Sequence, residues 1–127
     1  MEDRPIVVTD PVLAALTQGI GFYSATYRLF KLEGLEPDCE DYGQAVIYRG
    51  GISDGHEQRF TLDKHHVIEA GRVFPVCGNT WRMLHDTRFA AYFDFIGDFS
   101  RHYGLFAGCG GGLLFDHEAA DTAKACC

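Results

Sequence analysis

Two stretches of alternating side chains constrain this chain more than anything else in it. The first is Gly21-Phe-Tyr-Ser-Ala-Thr-Tyr-Arg-Leu-Phe-Lys-Leu32 and the second is Tyr42-Gly-Gln-Ala-Val-Ile-Tyr-Arg49. In the first, Tyr23, Ala25, Tyr27 and Leu29 share one side, opposite Phe22, Ser24, Thr26, Arg28 and Phe30. In the second, Tyr42, Gln44, Val46 and Tyr48 oppose Gly43, Ala45, Ile47 and Arg49. A period of two with aromatic and β-branched residues is the pattern of a strand. The rival for the first run is an amphipathic helix with Phe22, Thr26, Leu29 and Phe30 on one face. Thr and the aromatics lose side-chain freedom in a helix, which favours the strand. The connector Glu33-Gly-Leu-Glu-Pro-Asp-Cys-Glu-Asp41 holds Gly, Pro and Asp and suits a loop. The expectation is an antiparallel pair of these two runs, with Cys39 in their connection.

A length of 127 residues fits one domain with a real core. The reading assigns residues 1–115 to a single α+β domain and residues 116–127 to a flexible tail. Eleven basic residues against eighteen acidic give a net charge of −7. With no basic stripe, nucleic acid is excluded as an expected partner. No apolar run approaches a membrane span. The start, Met-Glu-Asp-Arg-Pro, is polar and lacks an apolar signal core, so the expected location is the cytoplasm.

The remaining elements follow in order. Pro5–Thr9 reads as an edge strand. Asp10-Pro11 starts a short helix, since Asp caps and Pro suits the first helical position; Val12, Leu13 and Leu16 are expected to face the core. Gln58–Leu62 alternates as a strand, Asp63–His66 is a polar turn, and Arg72–Cys77 is extended, with Pro75 placing it at a sheet edge. Gly78-Asn79-Thr80 opens the one long helix, capped by Asn79. Trp81, Leu84, Phe89, Tyr92, Phe93 and Ile96 fall at roughly helical spacing, and Asp86-Thr87 offers a second cap that would split it. That aromatic stripe is core packing. Arg101–Phe106 reads as a final strand. The fold class is therefore α+β: a small, mostly antiparallel sheet packed against one long helix, plus a short N-terminal helix.

Five cysteines, Cys39, Cys77, Cys109, Cys126 and Cys127, are the unusual feature. An odd number without an export signal argues against a disulfide framework and for reduced thiols or thiolate ligands. Cys77, after Phe74-Pro-Val76, also fits a small buried apolar residue. Adjacent Cys126 and Cys127 bridge each other badly, and instead suit a soft ion or exchange with another thiol pair. Trivalent arsenic, which favours two or three thiolates, is such an ion. Cys109 lies among Gly108, Gly110, Gly111 and Gly112, where backbone amides can approach and stabilise a thiolate. That run lacks the Gly-Lys-Ser/Thr of a phosphate loop. Cys39 stands among Asp38, Glu40 and Asp41, whose charge should raise its pKa. His56, His65, His66, His85, His102 and His117 have no zinc-finger or His-Glu-x-x-His spacing. No Ser/His/Asp signature and no Gly-rich first turn of a parallel βαβ unit are present.

Taken together, several motifs resemble a known family. Phe22-Tyr-Ser-Ala-Thr-Tyr-Arg-Leu-Phe-Lys31, Glu36-Pro-Asp-Cys-Glu-Asp-Tyr-Gly-Gln-Ala-Val-Ile-Tyr48, Val76-Cys-Gly-Asn-Thr80, Thr87-Arg-Phe89, His102-Tyr-Gly104 and Gly108-Cys-Gly110 resemble the C-terminal part of bacterial arsenite S-adenosylmethionine methyltransferases. The likeness runs from about Pro5 to Phe115 and includes the terminal Cys-Cys. It implies a role in arsenic detoxification, with arsenite or methylarsenite held on thiolates. It also implies a separate Rossmann-type methyltransferase domain as partner and S-adenosylmethionine as the cofactor of full-length members. That cofactor domain is expected to be lacking here, so no catalytic or cofactor-binding residue is assigned. The candidate thiolates for arsenic(III) or a soft metal are Cys39, Cys77 and Cys109, with Cys126 and Cys127 as a relay. Two departures stand out. Ile20 occupies a position where some members carry a cysteine. The Gly-Cys-Gly motif continues Gly-Gly-Leu-Leu-Phe instead of through Thr and a Pro-Phe pair. The alternatives are a free-standing thiol-rich module for arsenicals or a soft metal, and a docking domain with incidental cysteines.

Overall fold

The computed structural model describes residues 2–53 and 55–109. They fall into two compact units, residues 2–28 and 29–109. The first holds β1 (Glu2–Ile6), α1 (Pro11–Leu16) and β2 (Phe22–Thr26). β1 and β2 pair antiparallel, from Glu2 opposite Thr26 to Ile6 opposite Phe22. Asp10 is extended, and its Oδ1 accepts the backbone N–H groups of Val12 and Leu13, both at 2.9 Å. With Pro11 as the first helical residue, α1 begins as its sequence requires. Val12, Leu13 and Leu16 do not face a core; all three are exposed. A six-residue helix and a two-stranded hairpin do not make an enclosed layer.

The second unit carries β3 (Glu40–Asp41), β4 (Gln44–Tyr48), β5 (Arg59–Thr61), β6 (Val67–Glu69) and β7 (Val73–Val76). α2 (Gly78–His85), a 3-10 turn (Ala90–Tyr92), β8 (Phe93–Ile96) and β9 (Gly104–Leu105) follow. β4 is the central strand of a three-stranded sheet in the order β7-β4-β8, antiparallel on both sides. β5 pairs with β6, and β3 with β9. The class is α+β, mostly antiparallel sheet. β7 sits at an edge, where the missing N–H of Pro75 is tolerated.

The core is Val46, Tyr48, Phe60, Leu62, Ile68, Val76, Leu84, Phe89 and Phe93. Tyr48 is fully buried because its hydroxyl is satisfied: it donates to the His56 carbonyl at 2.6 Å and accepts the Ile52 N–H at 3.1 Å. Its ring lies 5.1 Å from Phe93 and 5.8 Å from Phe60, with Phe60 in turn 5.1 Å from Phe89, distances at which aromatic pairs attract.

Three expectations are corrected. The two alternating runs do not pair with each other. β2 takes β1, and both edges of β4 are occupied by β7 and β8. Alternation reports that a segment is a strand and says nothing of its neighbour. The first run also stops being a strand at Thr26; beyond it, Phe30 packs against the core, 6.5 Å from Phe89. Second, the long helix ends at His85. The Thr87 hydroxyl donates to the Met83 carbonyl and accepts the Phe89 N–H, a local alternative to continuing the helix. Phe93-Asp-Phe-Ile96 then alternates and fills the second edge of β4, with Phe93 buried and Asp94 exposed. Third, Asn79 is not the cap. Cys77 stands at that position with no side-chain cap bond. Asn79 instead clamps the loop before β3: its Oδ1 accepts the Glu36 N–H at 2.8 Å, and its Nδ2 donates to the carbonyls of Glu36 at 2.8 Å and Asp38 at 3.2 Å.

The turn from Asp63 to His66 forms as its composition requires. Asp63 Oδ1 accepts the backbone N–H groups of His65 at 2.8 Å and His66 at 3.0 Å, and the His66 Nδ1–H at 2.8 Å. Burial works against the charged carboxyl. The His66 ring and the two amides outweigh it and hold Asp63 below its ordinary pKa. A depressed folded-state pKa stabilises the fold above the unfolded value, and the contribution is lost as pH falls. Asp63→Ala should therefore cost about 1–3 kcal/mol at neutral pH. The gap to wild type should narrow as pH drops below 3.8, the ordinary value of the unfolded chain. Urea unfolding at a series of pH values measures it. Asn79→Ala, which removes three hydrogen bonds, should cost about 2 kcal/mol in the same assay.

Candidate thiol site

Three of the five cysteines meet. The sulfurs of Cys39, Cys77 and Cys109 all lie within 4.8 Å of one another, and all three are free thiols. Each reaches the site by a different device. Cys77 follows β7 directly and heads α2, where it is 2% exposed and its carbonyl accepts the Trp81 N–H at 2.9 Å. Cys39 ends the connector that Asn79 clamps onto that helix. β3 follows Cys39 at once and pairs with β9, Glu40 opposite Leu105 and Asp41 opposite Gly104. The Phe106 N–H extends this ladder to the Cys39 carbonyl at 2.8 Å. The chain then turns, with the Cys109 N–H donating to the Phe106 carbonyl at 3.3 Å, and this brings the third sulfur back over the first two.

Close packing under the site requires Gly78. A Cβ there would meet the Tyr42 ring at 3.0 Å and the Phe99 ring at 3.1 Å. Tyr42 is fixed in turn by its hydroxyl, which donates to Glu36 Oε1 at 2.7 Å. His102 bonds Glu40 Oε2 at 2.7 Å beside β3.

The electrostatics differ from what the flanking residues suggest. Cys39 has a raised pKa, but partial burial is the main cause; a hydrogen bond with Cys109 opposes it, and the charges of Cys77 and Asp38 add to it. At Cys109, whose following glycines 110–112 lie outside the described residues, the pKa is raised. Burial first, then hydrogen bonding with Cys39, push it well above its ordinary value. Burial therefore favours the protonated thiol at Cys39 and Cys109. A sulfur-bound centre of zinc's size, about 2.3 Å from each sulfur, would draw the sulfurs to roughly 3.8 Å apart, within reach of small side-chain rotations.

None of the described histidines joins this cluster. His66, His85 and His102 are each bonded to a carboxylate, Asp63, Asp86 and Glu40 respectively. Cys126, Cys127 and His117 lie outside the described residues. Sequence reasoning missed Thr80, whose buried hydroxyl lies 3.4 Å from the Cys77 sulfur. The position three residues on in a helix was the available signal. The ladders among the described residues are antiparallel, with one isolated parallel bridge between Tyr48 and Ala70. Among the described residues they do not form the parallel βαβ unit of a Rossmann-type domain. No helix among them is long and apolar enough to cross a membrane. The chemistry on offer is coordination by thiols.

Comparison with known proteins places this geometry. Residues 42–105 match the family model of the arsenite methyltransferase C-terminal domain. An arsenite methyltransferase of Aquipseudomonas alcaligenes is 69% identical over the whole chain, which spans 36% of that relative's length. The arsenite methyltransferase of Mus musculus is 36% identical over 71% of the chain, spanning 23% of its length. The crystal structure of an arsenic (III) S-adenosylmethionine methyltransferase from Chlamydomonas reinhardtii superposes with a TM-score of 0.69 at 40% identity, over 84% of this chain and 35% of that one. With residues 42–105, from β4 to β9, matched, the chain belongs to the arsenite methyltransferase C-terminal domain family.

Proposed function

We propose that this chain is the arsenic(III)-binding, accessory part of an arsenite methyltransferase, holding arsenite or methylarsenite on Cys39, Cys77 and Cys109. The observation that carries the reading is the set of three free sulfurs within 4.8 Å of one another. The names of the relatives supply the identity of the guest. Methyl transfer would depend on a methyltransferase domain that binds S-adenosylmethionine, and Cys126 and Cys127 would hand arsenic to or from the trio. Loading needs no change in protein charge. Arsenous acid is neutral, and each thiol exchanges its S–H bond for S–As while one As–O bond breaks. The thiol proton leaves with the hydroxide as water.

Titration of the fully reduced protein with arsenite, followed by the sulfur–arsenic absorbance, tests the reading. Cys39→Ser, Cys77→Ser and Cys109→Ser should each weaken binding by at least ~10-fold, about 1.4 kcal/mol. A Cys126→Ser/Cys127→Ser chain should keep the affinity and load more slowly. A reduced, folded protein that ignores arsenite overturns the reading. Tight binding of S-adenosylmethionine by the chain alone would overturn the accessory role.

The charge balance gives a second outcome. Because the exchange with arsenous acid releases no net protons, arsenite affinity should be nearly flat from pH 6 to 8, roughly one unit either side of neutrality. Zinc, which must displace the thiol protons into solution, should bind progressively more tightly over the same range. Parallel titrations with the two ions at fixed ionic strength measure the contrast.

A further inference from the structure

One line of hydrogen-bonding groups leads away from the thiol cluster. Cys77 Sγ is 3.4 Å from Thr80 Oγ1, Thr80 Oγ1 is 3.5 Å from His66 Nε2, and His66 Nδ1 is 2.8 Å from Asp63 Oδ1. The four residues come from the β7–α2 junction, from α2 and from the turn between β5 and β6. Cys77 and Thr80 are 2% and 4% exposed, so the inner half of the line is shielded from water.

Its direction follows from the outer end. A carboxylate only accepts, so His66 donates from Nδ1, and in the neutral imidazole Nε2 then presents its lone pair to Thr80. Thr80 then donates its O–H to Nε2, and its oxygen is left to accept the S–H of Cys77. The backbone amides of His65 and His66 hold Asp63 in place at 2.8 and 3.0 Å, which fixes the tautomer of the ring. Phe74 from β7 also lies beside the ring, 6.2 Å between centroids. This is an acid, a base and a nucleophile in series, with a hydroxyl as the link. The spacing of the middle step is long, as it often is at unloaded sites that tighten around a reactant.

We propose that Thr80 and His66 form the proton route of Cys77, making Cys77 the thiol that opens capture of a trivalent arsenical; this rests on the proposed arsenic-binding function. In the step, Cys77 Sγ forms a bond to arsenic and one As–O bond breaks. The Cys77 proton passes through Thr80 to His66 Nε2, then returns to the departing hydroxide, which leaves as water. Arsenic stays trivalent and sulfur is neither oxidised nor reduced. Thr80 and His66 are positioning residues for Cys77, and Asp63 positions His66. Cys39 and Cys109 complete the coordination without a relay of their own among the described residues.

The test is the rate of arsenite loading on the full reduced chain by stopped-flow absorbance. Thr80→Val keeps the shape and removes the link, and His66→Gln removes the base. Each should slow loading by at least ~10-fold, the low end of what a positioned base contributes. Equilibrium affinity should change by less than about threefold, and Thr80→Ser should restore most of the rate, an outcome that packing damage alone would not produce. Loading at the wild-type rate in Thr80→Val overturns the relay while leaving arsenic binding intact. If wild type takes up no arsenite, the functional reading fails by itself. The relay is then read from the modification rate of Cys77 by methyl methanethiosulfonate, mapped by peptide mass. A slower rate in Thr80→Val than in Thr80→Ser supports the route, and equal rates overturn it.

Discussion

The thiol cluster depends on one amide side chain. Asn79 satisfies three backbone groups of the connector before β3, and so pins a loop that carries one cysteine onto the helix headed by another. Ordering a loop backbone costs about 1–2 kcal/mol per residue. A connector of this kind stays in place only if specific bonds offset that cost. The two-residue ladder of β3 and β9 would be too short to hold alone. Combined with the clamp and the bond from Phe106 to Cys39, it closes the remaining side of the site. The thiols themselves contribute little to this order. They are positioned by neighbours one to four residues away, and their own polar contacts are with one another and with Thr80.

β4 supplies the frame on which that arrangement rests. Its register against β7 puts Gln44 opposite Val76, which sets where Cys77 emerges, and its register against β8 puts Tyr48 opposite Phe93 in the core. The sequence made strands legible wherever one face was aromatic or β-branched, as in Ala45-Val-Ile-Tyr48 and Phe60. Partners were not legible, because pairing is decided by which edges remain free once the core has formed. Phe93–Ile96 shows the same limit from the other side. Its aromatics fit a helical stripe continued from Trp81 and also fit a strand, and the open edge of β4 decided for the strand. At Asp10-Pro11 and Asp63–His66, a single side chain satisfies nearby amides, so local composition was enough.

For the site, the cysteines stood out by their odd number, and their convergence did not. Cys39, Cys77 and Cys109 are separated by most of the second unit, and only the β3–β9 ladder and the Asn79 clamp bring them together. Local charge was a poor guide to their state. Asp38 raises Cys39 less than burial does, and burial is also the first cause of the raised pKa at Cys109. The line from Asp63 to Cys77 was invisible for a different reason. Thr80 and His66 are common residue types in ordinary positions, and their meaning lies in a direction of hydrogen bonding that exists only when the turn, the helix and the strand end are packed together.

Burial and the proposed relay would answer one chemical problem. A desolvated thiol keeps its proton, which suits a neutral guest but makes a slow nucleophile. Were every sulfur to need its own base, the site would require three relays. It needs one. In the proposed site, once the first sulfur held arsenic, the other two, all within 4.8 Å of one another, would face it, and each later exchange would be intramolecular. Positioning of that kind is worth several kcal/mol without any lowering of a pKa. The most buried thiol, Cys77, is the one with the hydroxyl and imidazole behind it. The two at the loop ends, Cys39 and Cys109, are those whose segments must come together for the cluster to close. On the proposed reading, proton transfer would fall to the helix side of the site and closure to the side built from loops.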